Sequence, residues 1–127
     1  MPGELTPLVM LPRYTTFAGL PSTGSGPYYF STIAMDVTEY SSAILNVWRG
    51  KLIGTAVAPK FTFQESSDQV VWTTCGGTTA DFDPGENAET QYTATLTKRW
   101  FRIILELGNA NNVLTCWAVG FLEQRLS

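Results

Sequence analysis

Lys98-Arg-Trp-Phe-Arg-Ile-Ile-Leu-Glu-Leu107 decides the fold. Phe101, Ile103, Leu105 and Leu107 fall on every second position, with Arg102 and Glu106 between them. Successive side chains of an extended strand point to opposite faces, so this stretch predicts a strand with one buried face and one charged face. An earlier stretch, Phe61-Thr-Phe-Gln-Glu-Ser-Ser-Asp-Gln-Val-Val-Trp72, reads as strand, polar turn, strand. Its Ser66-Ser-Asp-Gln69 turn has side chains that bond their own backbone. Gln91-Tyr-Thr-Ala-Thr-Leu-Thr97 alternates most cleanly, with Tyr92, Ala94 and Leu96 expected inward and Thr93, Thr95 and Thr97 outward.

The pattern repeats beyond residue 27. Residues 28–37 are expected to form a strand with Ile33, Met35 and Val37 on its inner face, followed by strands over 43–49, 52–57, 60–65, 69–75 and 113–123. With no helical periodicity, about eight strands at short spacing predict an all-β protein, a single antiparallel β-sandwich of jelly-roll type. Residues 76–90 form its one long loop, and 108–112 a hairpin-type loop.

Residues 1–27 differ from the remainder. They hold Pro2, Pro7, Pro12, Pro21 and Pro27, five of the seven prolines, together with the apolar patch Leu5, Leu8, Val9, Met10 and Leu11. Proline blocks a helix and cannot sit in a central strand. The segment is expected as an extended arm or edge strand followed by a flexible stretch over 19–27, giving an N-terminal arm over 1–27 and a β-sandwich domain over 28–127. Two readings of the arm stay open: it covers an edge of its own sandwich, or it carries those five apolar residues to a neighbouring subunit.

Charged residues make up only 15% of the chain, against roughly 25% in ordinary soluble domains, which suits a surface that packs against other subunits. The net charge of −3 offers no basis for binding nucleic acid, which needs a basic patch. Lys98, Arg99 and Arg102 are read as a solvated strand entry. The opening Met-Pro-Gly-Glu lacks the basic and apolar regions of a secretory signal, so a cytoplasmic product is expected. The uncharged run over 113–122 is about half the length of a membrane-spanning helix, and no membrane partner is expected. In a reducing compartment Cys75 and Cys116 are expected as buried, unpaired thiols.

Absence of histidine removes Ser-His-Asp and Cys-His catalysis, and with only two cysteines it also removes zinc sites of ordinary composition. No enzyme and no cofactor are expected. Asp81, Asp83 and Glu86 are the one candidate metal set, three carboxylates in a short loop that could hold Ca²⁺; the competing reading is a solvated turn at Asp83-Pro-Gly85. Trp48, Trp72, Trp100 and Trp117 are all expected in strands. Trp100 shares its face with Arg102 and Glu106, which makes Trp100 and Arg102 candidates for anchoring a partner or stacking on a sugar; the competing reading is burial of Trp100 under the N-terminal arm.

Phe63-Gln-Glu-Ser-Ser-Asp-Gln-Val-Val-Trp72 with Arg99-Trp-Phe-Arg-Ile103 resembles the strand–Ser-x-Asp–strand–Trp and Arg-aromatic-x-Arg pattern of galactose-binding-like (discoidin-type) sandwich domains. It departs from that pattern at Asp68-Gln69, where the family carries Asp-Gly. The chain as a whole is also similar to small virion proteins of tailed bacteriophages, above all the capsid decoration (cement) proteins, in its length, Pro-rich arm, Thr-rich strands and low charge. That resemblance implies a non-enzymatic structural protein, made in the host cytoplasm and located in the virion. It would contact the major capsid protein or other virion subunits, as a homo-oligomer whose many weak contacts add up by symmetry. The alternative is a carbohydrate-binding module, or a tail or receptor-binding component, with a sugar as ligand.

Overall fold

The computed structural model describes residues 4–18, 28–54, 58–108 and 112–125. It is all-β, with no helix among the described residues. Nine strands follow in order: β1 (Leu5–Ala18), β2 (Tyr28–Ser31), β3 (Met35–Asp36), β4 (Tyr40–Arg49), β5 (Lys60–Ser66), β6 (Thr73–Thr74), β7 (Ala88–Thr95), β8 (Trp100–Leu107) and β9 (Val113–Gln124). Four of them make one antiparallel sheet in the order β1-β9-β4-β7. The other five make a second, β2-β8-β5-β6 with β3 also on β8. Leaving aside the two-residue β3, successive strands are dealt between the sheets as first, eighth, third, sixth and second, seventh, fourth, fifth. That is the order of a jelly roll.

The strand that opened the sequence reading behaves as its alternation requires. Phe101, Ile103, Leu105 and Leu107 are buried, while Trp100, Arg102, Ile104 and Glu106 stand half-exposed on the other face. Across the core, β4 contributes Ala43, Leu45 and Val47, and β9 contributes Leu114, Cys116, Ala118 and Leu122. An aromatic cluster fills the space between: Phe63 meets Phe101 at 5.7 Å and Phe82 at 5.0 Å, and Phe82 meets Tyr92 at 4.1 Å between ring centroids. A buried Phe side chain stabilises by roughly 1.5–3 kcal/mol. Phe82 comes from the long loop, which the core therefore holds in place. Its backbone also exchanges two 2.8 Å hydrogen bonds with Phe61.

The Pro-rich segment is part of the sandwich over Leu5–Ala18. It pairs with β9 as an edge strand, so within this chain the stretch is joined to the sandwich. An edge position leaves one flank of the strand unpaired, which is why Pro7 is tolerated. Pro12 lies in a bulge where four steps of β1, Leu11 to Thr15, face two of β9, Ala118 to Cys116. Residues 19–27, 55–57 and 109–111, where the rest of the arm and parts of two expected elements fall, lie outside the described residues.

Of the strand expected over 52–57 the described part, 52–54, holds only the isolated bridge of Ile53 to Val113, and two further expected strands are interrupted. Within 28–37 the ladder breaks after Ser31, and Ile33, expected inward, is 89% exposed. Thr32 occupies the break by accepting the Ile103 N–H on its hydroxyl at 2.9 Å and donating its own N–H to the Ile103 carbonyl at 3.0 Å. Within 69–75 only Thr73–Thr74 pair. One carboxyl oxygen of Asp68 accepts the N–H groups of both Val70 (2.8 Å) and Val71 (3.0 Å), so the turn is prolonged and those groups cannot enter a ladder. Trp72 accordingly lies outside the strands, unlike Trp48, Trp100 and Trp117. Gln69 takes φ 63°, the left-handed conformation that glycine adopts most readily.

Candidate functional site

The residues singled out in the sequence divide between opposite sides of the molecule. Leu8, Met10 and Leu11 face the core and are 3%, 9% and 6% exposed, so within this chain they hold β1 to the sandwich. Leu5 and Val9 point the other way, to the outer face of the four-stranded sheet. There, cross-strand neighbours form rows. Pro7 lies beside Phe121, which lies beside Ile44; Val9 lies beside Val119, which lies beside Asn46. Leu5, Val9 and Phe121 are 52%, 58% and 43% exposed. Between the rows is a shallow hollow of about 250 Å³ edged by Pro7, Val9, Arg13, Asn46 and Phe121.

One end of this face is closed by an aromatic stack that sequence spacing does not disclose. Trp48 and Trp117 are direct partners in the β4–β9 register and lie nearly parallel, 4.3 Å apart. The β1 bulge puts Tyr14 at φ 60° and turns its ring edge-on to Trp117 at 5.0 Å. The Arg13 guanidinium covers Trp117 at 4.7 Å, and the indole N–H of Trp117 donates to Glu89 Oε2 at 3.3 Å. Each cation–aromatic contact contributes roughly 0.5–1 kcal/mol at an exposed site. Only Tyr14, 69% exposed, offers much of its ring to solvent.

Trp100 and Arg102 lie across the sandwich, on the outer face of the five-stranded sheet. Both are partly used within the chain. The Arg99 guanidinium sits over Trp100 at 4.8 Å. Arg102 stacks on Trp72 at 4.0 Å and donates from Nε to Gln64 Oε1 at 2.9 Å. Partial burial draws the Arg102 pKa below its ordinary value. Next to it a concave region of about 380 Å³ is edged by Tyr29, Lys60, Thr62, Asp81, Arg102 and Glu106, over a floor that includes Ile104.

The three carboxylates of the acidic loop are not brought together. Among the described residues no three Asp, Glu, His or Cys side chains gather where they could hold a metal. Asp83 instead grips the buried Arg49 by two bonds, Nε to Oδ1 at 2.8 Å and Nη2 to Oδ2 at 3.1 Å. Burial pushes the Asp83 carboxyl pKa up, but the Arg49 hydrogen bonds, the Gly85 N–H and the Arg49 charge outweigh it and leave the pKa below the ordinary value. Asp81, at φ 57°, accepts the Thr62 hydroxyl at 3.4 Å, and Glu86 is exposed with its backbone bridged to Arg49. The carboxylates are thus spent separately, two of them as ties for the loop.

A carboxylate that the sequence reading passed over is the most buried one. Glu65, 5% exposed, accepts the N–H groups of Thr97 (2.8 Å) and Lys98 (3.1 Å) on one oxygen and the Thr97 hydroxyl (3.0 Å) on the other, and so fixes the turn between β7 and β8. Cys75 and Cys116 are free and buried. Burial pushes each thiol up to about 12, helped at Cys75 by the charge of Glu65. The two outer faces thus differ: one exposes Leu5, Val9 and Phe121, and the other carries a concavity edged by charged and polar side chains. No family model matches the chain, and no curated protein matches it.

Proposed function

We propose that this chain is a non-enzymatic structural subunit of a tailed-bacteriophage virion, a capsid decoration protein that stabilises the shell by docking the outer face of its four-stranded sheet across neighbouring capsid subunits. The observation that carries this reading is the row of Leu5, Pro7, Val9 and Phe121 on that face, large apolar groups left in solvent by a chain that has ample core to hide them in. Apolar groups that cluster on one surface mark places where another surface packs. The low proportion of charge acts in the same direction, since neutral polar side chains such as Asn46 and Thr93 beside the rows lose less hydration on contact than ions do.

The mechanism is mechanical. The jelly roll supplies a stiff plate, and the β1–β9 pair presents the docking rows from hydrogen-bonded backbone that does not have to order on contact. Each copy contributes a modest contact, and symmetry repeats it around the shell. Quantitative mass spectrometry of purified particles tests the reading. A decoration protein is recovered with the shell in a fixed ratio to the major capsid protein, whereas recovery only in the soluble fraction of infected cells contradicts it.

A further inference from the structure

On the outer face of the five-stranded sheet, Tyr29, Glu106 and Lys60 are cross-strand neighbours on β2, β8 and β5, and Ser31, Ile104 and Thr62 form the next row. Direct cross-strand neighbours stand about 5 Å apart, so these rows set donors and acceptors side by side around the 380 Å³ hollow. The volume lies at the small end of ligand pockets, roughly 300–1,000 Å³. Among the described residues the side chains of Tyr29, Lys60 and Glu106 hold no hydrogen bond or ion pair. Tyr29 is 64% exposed. Arg102 commits Nε to Gln64, and its Nη groups have no acceptor among the described residues. Two cations, Lys60 and Arg102, and two carboxylates, Asp81 and Glu106, edge the hollow and cancel in charge.

We propose that this hollow binds a neutral sugar. One apolar face of a pyranose ring lies against Tyr29 and Ile104, aromatic stacking of the kind that suits a flat C–H surface. Its hydroxyls donate to Glu106 and Asp81 and accept from Lys60 and Arg102, which charge-assisted bonds make directional. Cancelled charge selects a neutral glycan over a sialylated or sulfated one. The site goes beyond the docking reading and does not rest on it: a subunit seated by its four-stranded sheet turns this face away from its support, and the isolated chain carries the hollow either way.

The test is titration of the purified full chain with neutral disaccharides (lactose, maltose, cellobiose, diacetylchitobiose) and with sialyllactose, followed by NMR to about 10 mM. Saturable binding of at least one neutral sugar is expected, weakened at least about tenfold by Tyr29→Ala and by Glu106→Gln at unchanged melting temperature. Phe121→Lys on the opposite face should leave it unaltered. No saturable binding of any neutral sugar, binding that survives either substitution undiminished, or sialyllactose bound as well as the neutral sugars overturns the proposal.

Discussion

Replacing Asp83 by Asn removes the negative partner of Arg49 with almost no change in volume. The Arg49 side chain is 10% exposed and that of Asp83 25%, so the pair is neither fully desolvated nor freely hydrated. Two charge-assisted bonds, at 2.8 and 3.1 Å, are lost or reduced to bonds with a neutral amide. Hydrogen bonds to charged groups contribute about 1.5–3 kcal/mol each, and a guanidinium left buried without its carboxylate costs about 3–5 kcal/mol when fully enclosed. Partial exposure of Asp83 and the retained Nη1 bond to the Gly50 carbonyl (3.1 Å) reduce this, to about 2–3 kcal/mol. For a domain of this size that lowers Tm by roughly 6–15 °C. Asp83 has a depressed pKa in the folded state, so its stabilisation is fully present above the ordinary value of 3.8 and lost as pH falls through the lower folded value. The gap between parent and Asp83→Asn melting curves should therefore narrow on acidification below about pH 3.8 and stay constant above pH 5. Calorimetry of the parent, Asp83→Asn, Arg49→Met and the double variant measures the coupling. Additivity to within about 0.5 kcal/mol, or a Tm change under about 2 °C for Asp83→Asn, would refute the assignment of this pair as the tie of the 76–90 loop.

Other consequences can be checked by the same melting experiments. Glu65→Ala strips the β7–β8 turn of three bonds and should cost about 2–4 kcal/mol, whereas Glu65→Gln, which keeps an acceptor for the two N–H groups, should cost about 1 kcal/mol. Gly120→Ala drives a Cβ into the Ile44 carbonyl oxygen, within the β4–β9 pair, so the ladder must shift and about 1–3 kcal/mol should be lost. Cys75 and Cys116 should resist an aromatic disulfide reagent at pH 8 in the native protein and react together only once urea unfolds it; rapid native labelling would contradict their burial.

Much of the sandwich was legible because strands buried on one face advertise themselves by a period of two. β7, β8 and β9 were found this way, and the cysteines were read as buried thiols from their apolar surroundings. The local rule failed where a side chain captured backbone that alternation would assign to a ladder, at Asp68 with Val70 and Val71, and where a bulge-like break exposed Ile33. The prolines of β1 exclude a central strand but not an edge, so an edge strand and an extended arm were both legible there, and β1 is an edge strand. Expecting all five apolar residues of the arm to act together overlooked that the pleat divides them: Leu5 and Val9 stay outside while Leu8, Met10 and Leu11 are in the core.

The candidate surfaces were less legible, because they depend on strand register. Trp48 and Trp117 stack although 69 positions separate them, and Arg49 reaches Asp83 across 34. Nothing in local spacing announces either contact. Trp100 and Arg102 were correctly read onto one outer face, yet the hollow beside them needs Tyr29, Lys60 and Asp81 from other parts of the chain.

Docking by the outer face of the four-stranded sheet is tested most directly by adding purified chain to phage shells stripped of it and measuring bound copies by sedimentation. Val9→Lys and Phe121→Lys each put a charge into the apolar rows without touching the core. Saturable binding of the parent, reduced at least about tenfold by either substitution and unchanged by Tyr29→Ala on the far side of the sandwich, is the expected result. Parent and both lysine variants binding the shell equally, or none of them binding, would contradict it.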